Sequence, residues 1–565
     1  MKRLLTMVLF FLVITGFSQQ IPQKYFVAFT DKNGTPYSIS NPLAFLTQRA
    51  IDRRTAQGIP IIEEDLPVNP AYVNAVAATG VQVFTRCKWF NGITVRVTDT
   101  AVLPSIRALT FVQSVTRVTS YDFKKSTISD RKFLLEEELR KTGGNHETRL
   151  PGSPQNYNYG PSYAQIHLLN GDILHNMGYR GQGKVIAVLD AGFQHADVNP
   201  VFDSLRANNQ ILGTRDFVYP AGGNVCIYGD TAHPHGAEVF STMGGNTPGQ
   251  LIGTAPKASY WLIRTEDAAT ENIVEEYNWV VGAEMADSVG ADVINSSLGY
   301  TQFDNGWMDH TCADMNGYTN PSTRGANTAA SKGMALSISA GNEGDTIHHW
   351  HCVSSPSDAL NAFSIAAVNA SGNYASFSSP GTVNGSYVKP NIASMGLNCY
   401  VANPDGSLSY GSGTSFASPI NAGMMACLWQ ARPTLNQYEL GKVIEESASQ
   451  YTHPDSLLGY GIPNYPIAMR LSHVGVQSKT NLRAFPNPFK DAVNILVDNN
   501  LSGNFEISLI SLTGDLILKT NRMIVAGGGN TITLNHLNTL APGMYILKIS
   551  SGNMTEYLHM VKIEK

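Results

Sequence analysis

Hydrophobic residues change their spacing along this chain, and each change predicts a different module. Residues 4–17 form a largely apolar run behind Lys2 and Arg3. Small residues Gly16 and Ser18 frame a cleavage position before Gln19, so 1–18 reads as a signal peptide. The run is short for a membrane-spanning helix, and Gln19 and Gln20 end it abruptly. No later stretch is long and apolar enough to span a bilayer. The mature chain is therefore expected to be secreted or held at the cell surface.

Residues 19–120 mix short strands and helices. Segments 25–30, 81–86, 92–97 and 112–118 have strand character, and Trp89-Phe90-Asn91-Gly92 turns the middle pair into a hairpin. Segment 42–57 has helical spacing, with Leu43, Leu46, Ala50 and Ile51 on one face. A short helix or turn is predicted at 71–78 and a helix at 101–109. The result is a small α+β module. Residues 121–159 break the pattern: charge crowds 124–141, and Gly, Pro and Asn crowd 143–158. That is linker composition, and a processing cut is expected within it.

From 160 to 470 short apolar strands alternate with helical stretches. The predicted strands are 184–189, 259–264, 292–297, 334–339 and 363–368. Such alternation gives an α/β fold, a parallel sheet with helices on both faces. Functional groups then belong at the carboxyl ends of the strands. A second linker, 471–481, leads into 482–565. There Val493, Ile495 and Val497 alternate with polar positions, 505–512 and 516–519 flank Thr513-Gly514, and strands follow at 543–549 and 558–563. This predicts a small all-β sandwich.

Composition narrows the function. A chain of 565 residues exceeds one core. A net charge of −5 with no basic run excludes nucleic acid as a partner class. Six scattered cysteines form no CxxC pair, which argues against zinc. Cys312 and Cys352 both lie in loop-like segments and are candidates to pair, while Cys427 sits in a helix as a buried thiol. His348-His349-Trp350-His351-Cys352 reads as a structural loop and not a metal site.

The stretch Gly411-Ser412-Gly413-Thr414-Ser415-Phe416-Ala417-Ser418-Pro419 carries the clearest candidate chemistry. It places Ser415 where loop becomes helix, and Pro419 is read as a first-turn residue. N–H groups at a helix start lack internal partners, so a serine there can attack a carbonyl while they receive the oxyanion. An N-cap serine is the ordinary explanation of such a motif. Three further positions change the balance. A predicted strand ends in Asp190-Ala191-Gly192, His235-Gly236 opens a helix, and another strand ends in Ala340-Gly341-Asn342. Each alone has a structural explanation. An acid, an imidazole, an amide and a serine, all at strand ends or helix starts, form a catalytic set.

These motifs, with Ser297-Leu298-Gly299, resemble the subtilisin family of serine proteases in content and in the order Asp, His, Ser. The resemblance covers roughly 160–468. It implies Ser415 as nucleophile, His235 as general base, Asp190 as orienting carboxylate and Asn342 as oxyanion donor. It implies Ser297, Leu298 and Gly299 as the segment pairing with substrate backbone. It also implies that 19–120 is a propeptide inhibiting its own enzyme. The tail, from Phe485-Pro486-Asn487-Pro488-Phe489 through Gly543-Met544-Tyr545 to Val561-Lys562, resembles the C-terminal sorting domain of type IX secretion cargo. Two departures mark a divergent branch: Glu238 stands where the family has a second histidine, and Ala191 where Thr or Ser is usual. His233 is a rival base, disfavoured because it precedes Pro234 and reads as extended.

The expected function is a secreted serine endopeptidase acting through an acyl-enzyme, without a cofactor or catalytic metal. Structural calcium is common in the family, but no loop here locates it. The rival class is a catalytically inactive surface-binding or adhesive protein on the same scaffold. An intact Asp190, His235 and Ser415 argues against it.

Overall fold

A computed structural model describes residues 23–119, 133, 136, 157–344, 350–384, 387–471 and most of 482–562. The expected signal peptide, the turn at 513–514, His348 and His349 lie outside the described residues. Among the described residues no helix is long and apolar enough to cross a membrane.

The N-terminal module follows from its strand and helix pattern. Strands β1 (Gln23–Phe29), β2 (Gln82–Cys87), β3 (Gly92–Val97) and β4 (Val112–Arg117) form one antiparallel sheet in the order β2-β3-β1-β4. Helices α1 (Gln48–Ala56), α2 (Pro70–Ala77) and α3 (Leu103–Arg107) connect them. The expectation for 42–57 needs correction. Thr47 caps the helix by accepting from Ala50 N, so α1 begins later, after a separate short turn at Pro42–Ala44. Leu43 is consequently 61% exposed, while Arg53 and Arg54 are buried beside Ala50. The buried face of α1 is partly charged, because it docks on acidic groups of the next domain.

That domain is built on a seven-stranded sheet. Its strands are β5 (Val185–Asp190), β6 (Ile211–Asp216), β7 (Ser259–Arg264), β8 (Val293–Ser296), β9 (Ala335–Ser339), β10 (Phe363–Val368) and β11 (Ile392–Met395). The order is β11-β10-β9-β8-β5-β7-β6, and all neighbours pair in parallel. Strand β5 shows why its sequence is an unbroken apolar run. Ile186 and Val188 enter one core with helices α4 (His235–Gly244) and α7 (Thr414–Ala431). Val185, Ala187 and Leu189 enter the other, with α5 (Val274–Val289) and α6 (Pro321–Ser331). Both faces are covered, so no polar alternation is needed.

Sequence reading missed β6 and β11, the edge strands. Leu212 and Arg215 of β6 are exposed, and its Gly213 and Thr214 weaken the apolar signal. Cys312 and Cys352 form a disulfide, with Cα atoms 5.9 Å apart. Cys427 is a fully buried free thiol donating to Thr254 O at 3.2 Å.

The C-terminal segment is two antiparallel sheets. Strands β12 (Leu482–Phe485), β13 (Val493–Val497) and β16 (Thr531–Leu534) form one, in the order β12-β13-β16. Strands β14 (Gly503–Ser511), β15 (Leu516–Ile524), β17 (Gly543–Ser551) and β18 (Met554–Lys562) form the other, in the order β15-β14-β17-β18. Val493, Ile495 and Val497 share a core with Ile507, Leu509, Leu547 and Ile549. Strand β15 runs to Ile524, past its expected end, because it stays paired with β14 as far as Gly503.

Candidate active site

Four of the expected residues converge at the carboxyl edge of the parallel sheet. Asp190 is the last residue of β5, His235 the first of α4, and Ser415 the second of α7, while Asn342 follows the end of β9. Asp190 Oδ1 lies 2.7 Å from His235 Nδ1 and accepts from Ala191 N at 2.7 Å. A side chain at position 236 would collide with Gly192 O and with Asp190 itself, so glycine there lets strand end and helix start meet. His233 Nδ1 accepts from His235 N at 3.3 Å. It lies two residues upstream, with its ring centroid 6.3 Å from that of His235.

Helix α7 holds Ser415 rigidly. Residues 414–429 are all buried. Pro419 is not in the first turn as expected; it lies inside the helix, which starts at Thr414. Lacking an N–H, it leaves the carbonyl of Ser415 without its helical donor. Ser297 Oγ supplies that donor at 2.8 Å. Ser394 Oγ donates to Ala417 O at 2.6 Å, and Ser337 Oγ to Ser418 O at 2.9 Å. Hydroxyls from the sheet and from the segment just after β8 thus fix the turn that carries the nucleophile candidate.

Asn342 is equally constrained. Its Oδ1 accepts from Thr414 N and Thr414 Oγ1, both at 2.8 Å, which turns Nδ2 toward Ser415. The segment Ser297-Leu298-Gly299 continues beyond the end of β8 and is not itself strand. Ser297 and Leu298 are buried, and Gly299 is half-buried.

No motif marks the group at the centre. Glu136, buried, inserts its carboxylate among these residues. Its Oε1 accepts from Ser415 Oγ and from Asn342 Nδ2, the latter at 2.9 Å. Its Oε2 lies 3.1 Å from His235 Nε2, without hydrogen-bond alignment. Burial works against a charge on His235, but the carboxylates of Asp190 and Glu136 outweigh it and raise the imidazole well above its ordinary value. Glu136 falls in a charge-dense stretch where nothing distinguishes it from neighbouring acids.

Comparison with known proteins matches three regions of the chain. The Subtilase family model matches residues 181–461. Residues 181–461 are a subtilase domain. The model for the Bacteroidota peptidase S8 propeptide domain matches 24–132, and that for a secretion system C-terminal sorting domain matches 483–563. The subtilase domain and its flanks are 28% identical over 315 residues to subtilisin E of Bacillus subtilis, covering 54% of this chain and 72% of that one. Subtilisin of Bacillus pumilus is 27% identical over 307 residues, covering 54% and 97%. The crystal structure of MycP1 from the ESX-1 type VII secretion system covers 59% of this chain and 93% of its own at 19% identity. Its TM-score of 0.45 is too low to argue from. The chain is therefore a subtilase with a propeptide and a sorting tail, and such a tail marks it for export.

One acidic cluster in the subtilase domain has cation-ligand spacing. Glu266, Glu271 and Glu275 are buried, with carboxylate oxygens within 4.8 Å of one another. Tyr300 Oη donates to Glu266 Oε2 at 3.0 Å.

Proposed function

We propose that the chain is the precursor of a secreted serine endopeptidase. Ser415 Oγ attacks the carbonyl of an extended peptide while His235 Nε2 takes its proton. Asp190 holds the Nδ1 side of the ring and stabilises the imidazolium that forms. Asn342 Nδ2 and the Ser415 N–H receive the oxyanion. The leaving amine departs with the proton of His235, and water then hydrolyses the acyl-enzyme with His235 as base. The backbone at Ser297, Leu298 and Gly299 runs beside the substrate. No step requires a cofactor or metal.

The observation that carries this reading is the grip on one carboxylate. Its two oxygens stand in for those of a cleaved peptide's new C-terminus: Oε1 at the oxyanion donor and nucleophile, Oε2 at the base. A centre that holds a carboxylate this way is shaped for the product of peptide hydrolysis. Residues 19–120 act as the inhibitory propeptide, with processing between about 119 and 160. The tail from about 482 directs export through type IX secretion machinery and is dispensable for chemistry.

The test is hydrolysis of an internally quenched peptide by the processed enzyme, with products identified by mass. Cleavage at an internal bond, lost in Ser415→Ala, is expected. A folded, processed wild-type chain that binds the peptide and leaves it whole would instead support the adhesive alternative.

A further inference from the structure

We propose that Glu136 is a side-chain plug that keeps the precursor latent, distinct from the docking of the propeptide domain and resting on the serine-hydrolase reading above. One carboxylate meets the nucleophile, the base and the side-chain oxyanion donor at once. Ser415 Oγ donates to it, Asn342 Nδ2 donates to the same oxygen at 2.9 Å, and His235 Nε2 faces the other at 3.1 Å. Ser415 therefore has its proton directed away from the base that should take it. His235 Nε2, the atom that should take that proton, faces Glu136 Oε2, and the two flanking carboxylates, Asp190 and Glu136, raise the imidazole well above its ordinary value.

The contact is built as a blockade and not as a substrate complex. Glu136 enters through its side chain from helical backbone, whereas a protease holds the scissile bond in an extended chain. Attack on a carboxylate would have to expel oxide, so the plug resists the nucleophile it touches. Phe133, three residues earlier and also helical, covers the imidazoles, with ring centroids 4.2 Å from His233 and 5.0 Å from His235. Glycine at 413 provides the space: a Cβ there would stand 2.6 Å from Glu136 Oε1. Glu136 lies four residues past the end of the propeptide match at 132. Lasting activation therefore needs the carboxylate withdrawn and the mature chain to begin after residue 136.

The test uses the full-length precursor and a fluorophosphonate probe. Intact and processed chains are separated on a gel, and label on the intact band is followed with time. In Glu136→Ala the intact band should label roughly ten- to a hundredfold faster than in wild type, the scale of a lost charge-assisted hydrogen-bond set. Glu136→Gln, which keeps the shape but not the charge beside His235, should fall between them. Phe133→Ala should speed labelling less. Processed wild-type and Glu136→Ala enzymes should label alike, with a mature N-terminus beyond 136. Equal labelling of the intact bands, or a mature enzyme that retains Glu136, overturns the plug. A processed enzyme that takes no label at all overturns the hydrolase reading and the plug with it, which sets that failure apart from the first.

Discussion

Among the described residues, the chain that precedes the subtilase domain meets it both at a broad docking face and at the candidate active site, and these contacts have opposite designs. The docking contact is broad and buried. Arg54 lies between Asp65 of its own module and Asp287 of α5, at 2.7 Å from each. Arg53 reaches Asp287 at 2.6 Å, and Lys88 at 3.4 Å. Glu284 accepts from the backbone N–H groups of Lys88 and Trp89, both at 2.9 Å. Phe26 stacks on Tyr277 with ring centroids 4.4 Å apart. The contact at the catalytic centre is one carboxylate. Many satisfied charges and apolar surface hold a domain in place; one well-aimed oxygen pair suffices to disable a nucleophile. On the proposal above, affinity and inhibition are located in different residues.

Removing the chemistry should leave both contacts standing, and this is the largest expected effect. Ser415→Ala should leave the precursor uncut when no other protease is present. Once processed in trans, Ser415→Ala and His235→Ala should each lose about 10⁶ in turnover, the scale for a subtilisin triad, because the two groups act as one unit. Normal self-trimming of Ser415→Ala would show that processing belongs to another enzyme.

Next comes the docking contact. Asp287→Ala leaves Arg53 and Arg54 buried without their shared partner, a loss of about 3–5 kcal/mol. In an uncleavable Ser415→Ala background, hydrogen exchange along α5 should rise accordingly. Adding Glu136→Ala to that background should change exchange at α5 little. Equal effects from the two substitutions would erase the distinction between the contacts.

Asn342→Leu sharpens the comparison from the enzyme's side. It removes the donor that holds both the plug and the oxyanion, so turnover of the processed enzyme should fall roughly 10²–10³-fold. The donor acts mainly on the transition state, so the Michaelis constant should move little. A change in the Michaelis constant alone would show that Asn342 serves binding instead.

The smallest effect is in pH. Burial alone would raise the Asp287 carboxyl, but Arg54, Lys88 and Arg53 hold it well below its ordinary 3.8. A depressed carboxylate contributes stability that is fully present above 3.8 and is lost as pH falls through the lowered value. Docking measured by urea unfolding of the uncleavable precursor should therefore be flat with respect to Asp287 above about pH 4 and weaken below it. Replacing Asp287 by Asn should remove that acid-side loss.

Legibility in the sequence follows the same division. Helix α7 is apolar and small on every side, so a buried helix starting near Ser415 was readable without a partner in view. Asp190, His235 and Asn342 were readable because strand ends and helix starts are local features. Helix α1 was misread because its buried face is Arg53 and Arg54, whose partner Asp287 lies more than 230 residues away. Pro419 was misplaced because the hydroxyl that compensates for it comes from Ser297, in another element. Strands β6 and β11 lie at the edges of the sheet, where one neighbour is missing and the apolar run is short. Glu136 had no signal at all: its meaning depends on three residues from distant parts of the chain meeting around it.

The most direct test of the catalytic centre is the position of a covalent adduct. Processed enzyme is treated with a fluorophosphonate, digested, and the modified residue mapped by mass spectrometry. One adduct is expected, on Ser415, absent when His235 is replaced by Ala under the same exposure. An adduct on another serine, or none on a folded wild-type enzyme, would contradict it.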